Sequence, residues 1–124
     1  MYKTKLQLEW KGYYSYNAEN LDKVPSDAGV YKISVKLKNE RLKPFYVGQA
    51  NDLKDRLSDH LQDYEPNDCV KKHVRDYICH FKYALVSRQS DRDGAERALY
   101  QHYKPECNDP DAIPSGPDLE INTD

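Results

Sequence analysis

Apolar and polar residues alternate from Gly29 to Lys38. Tyr31, Ile33, Val35 and Leu37 fall on one side, and Lys32, Ser34, Lys36 and Lys38 on the other. A period of two predicts a half-buried strand with one basic face. Asn39-Glu40-Arg41 supplies a turn and Phe45-Tyr46-Val47-Gly48 a returning strand, with Pro44 admissible only at the strand start or at a sheet edge. The period then changes. Leu53, Leu57, Leu61 and Tyr64 recur at helical spacing, and Asn51 is placed to cap a helix running to about Asp63. Pro66-Asn67-Asp68 opens a second helix with Val70, Val74, Tyr77 and Ile78 as its apolar face. Phe81, Tyr83, Leu85 and Val86 suit a third strand. Asp91 or Asp93 is positioned to cap a last helix carrying Ala95, Leu99, Tyr100 and Tyr103, which Pro105 ends. Residues 6–16, aromatic and β-prone but interrupted by Gly12, read as a peripheral strand or ordered arm. The expected fold is α/β: a small three-stranded antiparallel sheet flanked by helices, in the order β-β-α-α-β-α.

A chain of 124 residues has material for one core. The pattern divides it into an N-terminal arm (1–23), a folded domain (24–108) and a tail (109–124) that reads as extended or disordered. The whole chain carries a formal charge of −2, but five acidic residues and no basic one lie in the last sixteen positions, leaving residues 1–108 at +3. A mildly basic body permits a nucleic-acid partner without requiring one. No apolar run approaches the roughly 20 residues of a membrane-spanning helix. MYKTKLQLEWKG has no apolar signal segment, so the expectation is a cytoplasmic protein with no membrane partner. Cys69, Cys79 and Cys107 are odd in number and lack CxxC spacing, which suggests reduced thiols. Cys69-x3-His73 and Cys79-His80 fit no established zinc spacing.

The sequence of motifs is more specific. Gly29-Val30-Tyr31 and Tyr46-Val47-Gly48 sit on the two arms of one predicted hairpin. Residues 51–61 follow with Arg56 and His60 one turn apart. Gly94-Ala95-Glu96 lies in the last helix, and Lys104-Pro105-Glu106-Cys107-Asn108 closes the domain. This ordered set resembles the GIY-YIG nuclease superfamily, with motif spacing most similar to its restriction-endonuclease-like members. The likeness covers roughly residues 24–108.

The resemblance implies a metal-dependent endonuclease that hydrolyses DNA, with Tyr31, Tyr46, Arg56, His60 and Glu96 as catalytic residues. It implies Glu96 as the Mg²⁺ ligand, with Mn²⁺ able to substitute. Those residue types suit the chemistry. A guanidinium matches phosphate oxygens bidentately and keeps its charge at any working pH. One carboxylate is enough for Mg²⁺, which retains waters and leans on substrate phosphate. A free phenol is ionised to only about 10⁻³ at neutral pH, so a tyrosine base needs help, and His60 is placed to relay its proton. The base is left open between Tyr31, taken first, and Tyr46. Gln49 stands where several members carry a lysine, which shifts the burden to His60, or to Lys32 and Lys36. Lys32, Lys36, Gln49 and Asn108 complete the expected substrate-binding set.

Each residue has a plainer reading. Tyr31 and Tyr46 suit core or cross-strand aromatics. Arg56 and His60 suit a solvated face paired with Asp52, Asp59 or Asp63. Glu96, three residues after Asp93, suits helix capping. Gly29 and Gly48 suit close backbone approach. The alternative function is an inactive nucleic-acid-binding or protein-interaction module that retains the fold. With no second domain, specificity would come from loops, the arm, a homodimer or a partner protein.

Overall fold

The computed structural model describes residues 3–62 and 65–123. The chain runs β1 (Thr4–Leu6), β2 (Lys11–Ser15), α1 (Ala18–Leu21), β3 (Gly29–Lys36), β4 (Leu42–Ala50), α2 (Leu53–Asp59), α3 (Asp68–Asp76), β5 (Cys79–Leu85), α4 (Gln89–Tyr103), a 3₁₀ turn (Pro110–Ala112) and β6 (Leu119–Ile121). The mixed α/β class agrees with the sequence, but the sheet is larger than expected. Four antiparallel strands lie in the order β2-β5-β3-β4, and β1 pairs in parallel with β6 in a separate two-stranded sheet. The arm therefore supplies a real edge strand. The break at Gly12 is an irregularity in the pairing with β5, where φ is +116° and a Cβ would stand 2.7 Å from the Phe81 carbonyl.

β3 is an interior strand covered on both faces. Tyr31, Ile33, Phe45, Leu53, Leu57, Val70 and Phe81 form one core with α1, α2 and α3. Val30, Val47, Ala84, Ala95 and Leu99 form a second core against α4. The alternation along β3 thus separates two cores and not a core from water. Lys32, on the supposed basic face, has no exposure at all. Its ammonium sits among Trp10, Tyr13 and Tyr103 and donates to the Tyr103 hydroxyl and the Thr123 carbonyl.

Strand β4 lies at the sheet edge, where Pro44 is tolerated. Ser34 pairs with Pro44 and Ile33 with Tyr46, so Phe45 is an extra, bulged residue. The bulge places Phe45 and Tyr46 against the same core, contrary to simple alternation.

Helix boundaries differ from those the sequence suggests. The Asn51 side chain accepts from Arg92, so Asp52 caps α2 instead, accepting from the Asp55 amide. Helix α4 begins at Gln89, before Asp91 and Asp93, and Arg88 at its N-cap makes no side-chain capping bond. Asn67 caps α3 as its position suggested. Tyr77 and Ile78, expected inside, are 57% and 68% exposed because α3 ends at Asp76. Asp63 and Tyr64 lie outside the described residues.

The tail is ordered. It crosses α4 at Gly94, where a Cβ would meet Leu119 and the Pro117 carbonyl at 2.7 Å. Leu119 is buried, Asn122 exchanges hydrogen bonds with the Leu8 backbone, and Trp10 donates to the Asn122 carbonyl. The cysteines also depart from expectation: Cys69 and Cys107 form a disulfide, with His73 Nδ1 3.5 Å from the Cys107 sulfur. Among the described residues no helix is long and apolar enough to cross a membrane.

Candidate active site

Tyr31 points from β3 into the core shared with α2, and His60 caps the C-terminus of that helix. The two meet: the Tyr31 hydroxyl is 2.8 Å from His60 Nε2. On its other side, His60 Nδ1 is 2.7 Å from a Glu65 carboxylate oxygen. All three side chains are buried. With Nδ1–H donating to the carboxylate oxygen, Nε2 is left as the acceptor facing the phenol. Burial, with the Arg56 charge in support, lowers the His60 pKa to about 4 against the pull of Glu65. Burial, reinforced by Tyr46, holds the Tyr31 phenol well above 10 despite Arg56. At neutral pH the resting pair is therefore neutral phenol and neutral imidazole, with an acceptor in place.

Tyr46, on the edge strand, is only partly buried and packs edge-on to His60 at 5.1 Å between ring centroids. Burial raises its pKa, and Arg56, within hydrogen-bonding reach, opposes the rise. Arg56 is half-buried on α2. Burial works against its charge, yet the neighbouring Tyr31 and Tyr46 and the Glu65 carboxylate raise its pKa. Arg56 is thus within hydrogen-bonding reach of Tyr46, and His60 is paired with Glu65; neither behaves as part of a merely solvated face.

Glu96 comes from α4, the layer on the opposite side of the sheet, and meets β4 through Gln49. Burial raises the Glu96 pKa; the Gln49 hydrogen bond opposes this and Asp93 adds to it. Gln49 Nε2 also donates to Asp93 at 2.8 Å, and Gln49 Oε1 accepts from Gln89. Among the described residues no basic side chain forms an ion pair with Glu96. It lies well inside α4, so it does not cap that helix. A buried, unneutralised carboxylate is an oxygen donor suited to a hard divalent cation. Glu96 also contributes to the electrostatic environment of both Tyr31 and Tyr46.

The expected substrate-binding residues fare differently. Lys32 is sealed in its aromatic cage on the α4 side and does not reach the site. Lys36 lies at the far end of β3, paired with Leu42, and its ammonium is 2.7 Å from Glu40. Gln49 supports Glu96 and Asp93. Asn108 accepts from the Val47 amide at 2.9 Å and donates to the Val47 carbonyl at 2.8 Å, which closes the open edge of β4 beside Tyr46. Glu65 is the residue the sequence reading missed. Its one legible signal was a carboxylate five positions after His60, in a loop with no periodicity to give it a face.

No family model and no curated relative matches the chain. Solved structures do. The chain is similar to the GIY-YIG N-terminal endonuclease domain of UvrC from Thermotoga maritima bound to magnesium, with 24% identity and a TM-score of 0.56 over 75% of this chain and 100% of that one. The chain has the GIY-YIG nuclease fold. Two single-substitution variants of the same domain, one replacing a tyrosine by phenylalanine and one an asparagine by alanine, match with TM-scores of 0.53 at 22% and 21% identity. Each match spans 75% of this chain and 99% of the other, and each variant is bound to its catalytic divalent cation. On this fold the hairpin β3–β4 presents Tyr31 and Tyr46, α2 presents Arg56 and His60, and α4 presents Glu96.

Proposed function

We propose that this chain is an endonuclease that hydrolyses DNA phosphodiester bonds at one GIY-YIG site, using Mg²⁺ or, in its place, Mn²⁺. The observation that carries the reading is the 2.8 Å hydrogen bond between the Tyr31 hydroxyl and His60 Nε2, with Arg56 in reach of Tyr46 and a buried carboxylate, Glu96, that acts on both tyrosines and has no ion-pair partner among the described residues. A binding module has no use for a phenol aimed at an imidazole acceptor. Glu96 fits the metal by its chemistry, and the cation would supply Lewis-acid stabilisation of the phosphate and the leaving 3′-oxygen.

The chain's own residues do the rest. Water attacks phosphorus as Tyr31 takes its proton, and the Tyr31 proton passes to His60 Nε2. The bond to the 3′-oxygen breaks. Because Tyr31 is held well above 10 and His60 near 4, the transfer does not precede attack; the two move together as charge builds on phosphate. Arg56 faces that charge and bonds Tyr46, which aligns the attacking water or shares the base role. One site cuts one strand. A double-strand cut would need two copies or two visits, and target choice would come from loops or from a partner protein.

Supercoiled plasmid tests the reading. Nicking with Mg²⁺ or Mn²⁺, abolished by EDTA, is expected. A folded protein that cuts neither DNA nor RNA with any divalent metal would instead indicate a nucleic-acid-binding module.

A further inference from the structure

Glu65 is 3% exposed, in the loop between α2 and α3. A carboxylate removed from water this completely is costly unless its oxygens are bonded. Both are. Oε2 faces His60 Nδ1 at 2.7 Å, and Oε1 accepts from the Asn67 amide at 3.0 Å. Asn67 is itself fixed: its side chain caps α3 by accepting from Val70 and donates to the Cys107 carbonyl at 2.9 Å. The carboxylate is therefore aimed from the α3 side and holds the imidazole on the α2 side.

We infer that Glu65 is a positioning residue of the proton-transfer pair, acting through His60 by holding it in the Nδ1–H form and balancing the charge it gains from Tyr31. The inference rests on the nuclease reading above. In the other tautomer, Nε2–H would face the Tyr31 hydroxyl and the ring could not accept from it. Among the described residues, the groups that shape the environment of His60 include Tyr31, Tyr46, Arg56, Asp59 and Glu65. Arg56 disfavours an imidazolium beside it, and Glu65 opposes that effect. Tyr31, His60 and Glu65 thus form a phenol–imidazole–carboxylate chain in which the carboxylate has the orienting role of the third member of a hydrolase triad.

The variants are Glu65→Gln, which keeps the volume and an acceptor oxygen but not the charge, and Glu65→Ala. In a serine–histidine–aspartate triad, losing the correct tautomer costs about 10⁴ in rate. Here Glu65→Gln should slow nicking by about 10-fold or more, and Glu65→Ala by about 10²–10⁴, the range of general acid–base help. Adding Glu65→Ala to His60→Ala should slow the reaction no further. Imidazole ¹⁵N correlation spectra of the full chain supply the second readout, independent of cleavage. They should show neutral His60 protonated on Nδ1 in the wild type, with that preference lost in Glu65→Ala. Nicking at wild-type rate by a folded Glu65→Gln and Glu65→Ala, or a wild-type His60 protonated on Nε2, would overturn the assignment. Should the wild type never cut, the nuclease reading fails, and the tautomer readout still decides whether Glu65 positions His60.

Discussion

Gly48 lies against the Tyr31 ring. The two are cross-strand partners, and a Cβ at residue 48 would stand 2.5 Å from the Tyr31 hydroxyl oxygen and 2.6 Å from Cζ. The glycine of the second tripeptide therefore makes room for the tyrosine of the first, and the hydroxyl so placed is the one 2.8 Å from His60. Motif residues that look independent in sequence are one packing unit.

This relationship predicts that Gly48→Ala acts through Tyr31. The added methyl should cost about 1–3 kcal/mol by overpacking and swing the hydroxyl away from His60. Misplacement of about an ångström costs on the order of 10²-fold. A folded Gly48→Ala protein, checked by thermal melting, should nick plasmid at least that much more slowly. Unchanged nicking would mean that the Tyr31 position does not matter to the reaction.

The pH dependence follows from His60. Its folded pKa lies near 4, below the ordinary 6.5, so the unfolded chain binds more protons between those values. Stability is thus full above about pH 6.5 and is lost as pH falls towards 4, by on the order of 3 kcal/mol from this group. Melting temperatures of wild type and His60→Gln over pH 4–7 should show the wild type falling more steeply. Cleavage should be flat through pH 6–9 with no break at 6.5, since Tyr31 and His60 both stay neutral there. Tyr31→Phe should abolish it, and His60→Ala should slow it by about 10² or more. A break at 6.5 that disappears in the His60 variant would contradict the buried, neutral imidazole.

Removing the tail should unfold rather than activate. Deleting residues 109–124 exposes the surface under Leu119 and takes away the Thr123 carbonyl that accepts from buried Lys32. Leu119→Ala alone should cost about 2–5 kcal/mol, as truncating a buried leucine does. Chemical denaturation of both variants checks this. A deletion that leaves stability intact and tightens DNA binding at low salt would show instead a flexible acidic tail that competes with phosphate for the body of the protein.

The hairpin and the helix order were legible because hydrophobic period is local. The errors came from what strand neighbours decide. Lys32 alternates like a surface lysine, but β3 has strands on both sides and cores on both faces, so the same alternation buries it. Asn51 is as good a cap as Asp52, and only Arg92, forty-one residues away, takes it out of that role. Asn108 carries a motif asparagine's identity, and only the folded chain shows that its side chain bonds the Val47 backbone. Glu65 has no periodic signature, and its meaning lies entirely in where the α2–α3 loop returns.

The Cys69–Cys107 disulfide ties α3 to the segment that carries Asn108 and closes a loop across 38 residues. On chain-entropy grounds it contributes about 4 kcal/mol. Cys69→Ser/Cys107→Ser, or a thiol reductant, should lower the denaturant midpoint accordingly. Equal midpoints with and without reductant would show that the bridge adds nothing.

The central claim is that Glu96 is the metal-holding carboxylate of a nuclease, and Glu96→Gln tests it most directly. Folding raises the Glu96 pKa, so its charge is disfavoured in the folded protein at neutral pH. Removing that charge should leave the melting temperature unchanged or higher. DNA binding should survive, because a negative charge beside the phosphate is gone. Plasmid nicking with Mg²⁺ should fall to background. A Glu96→Gln protein that melts like the wild type and still nicks DNA would contradict the account.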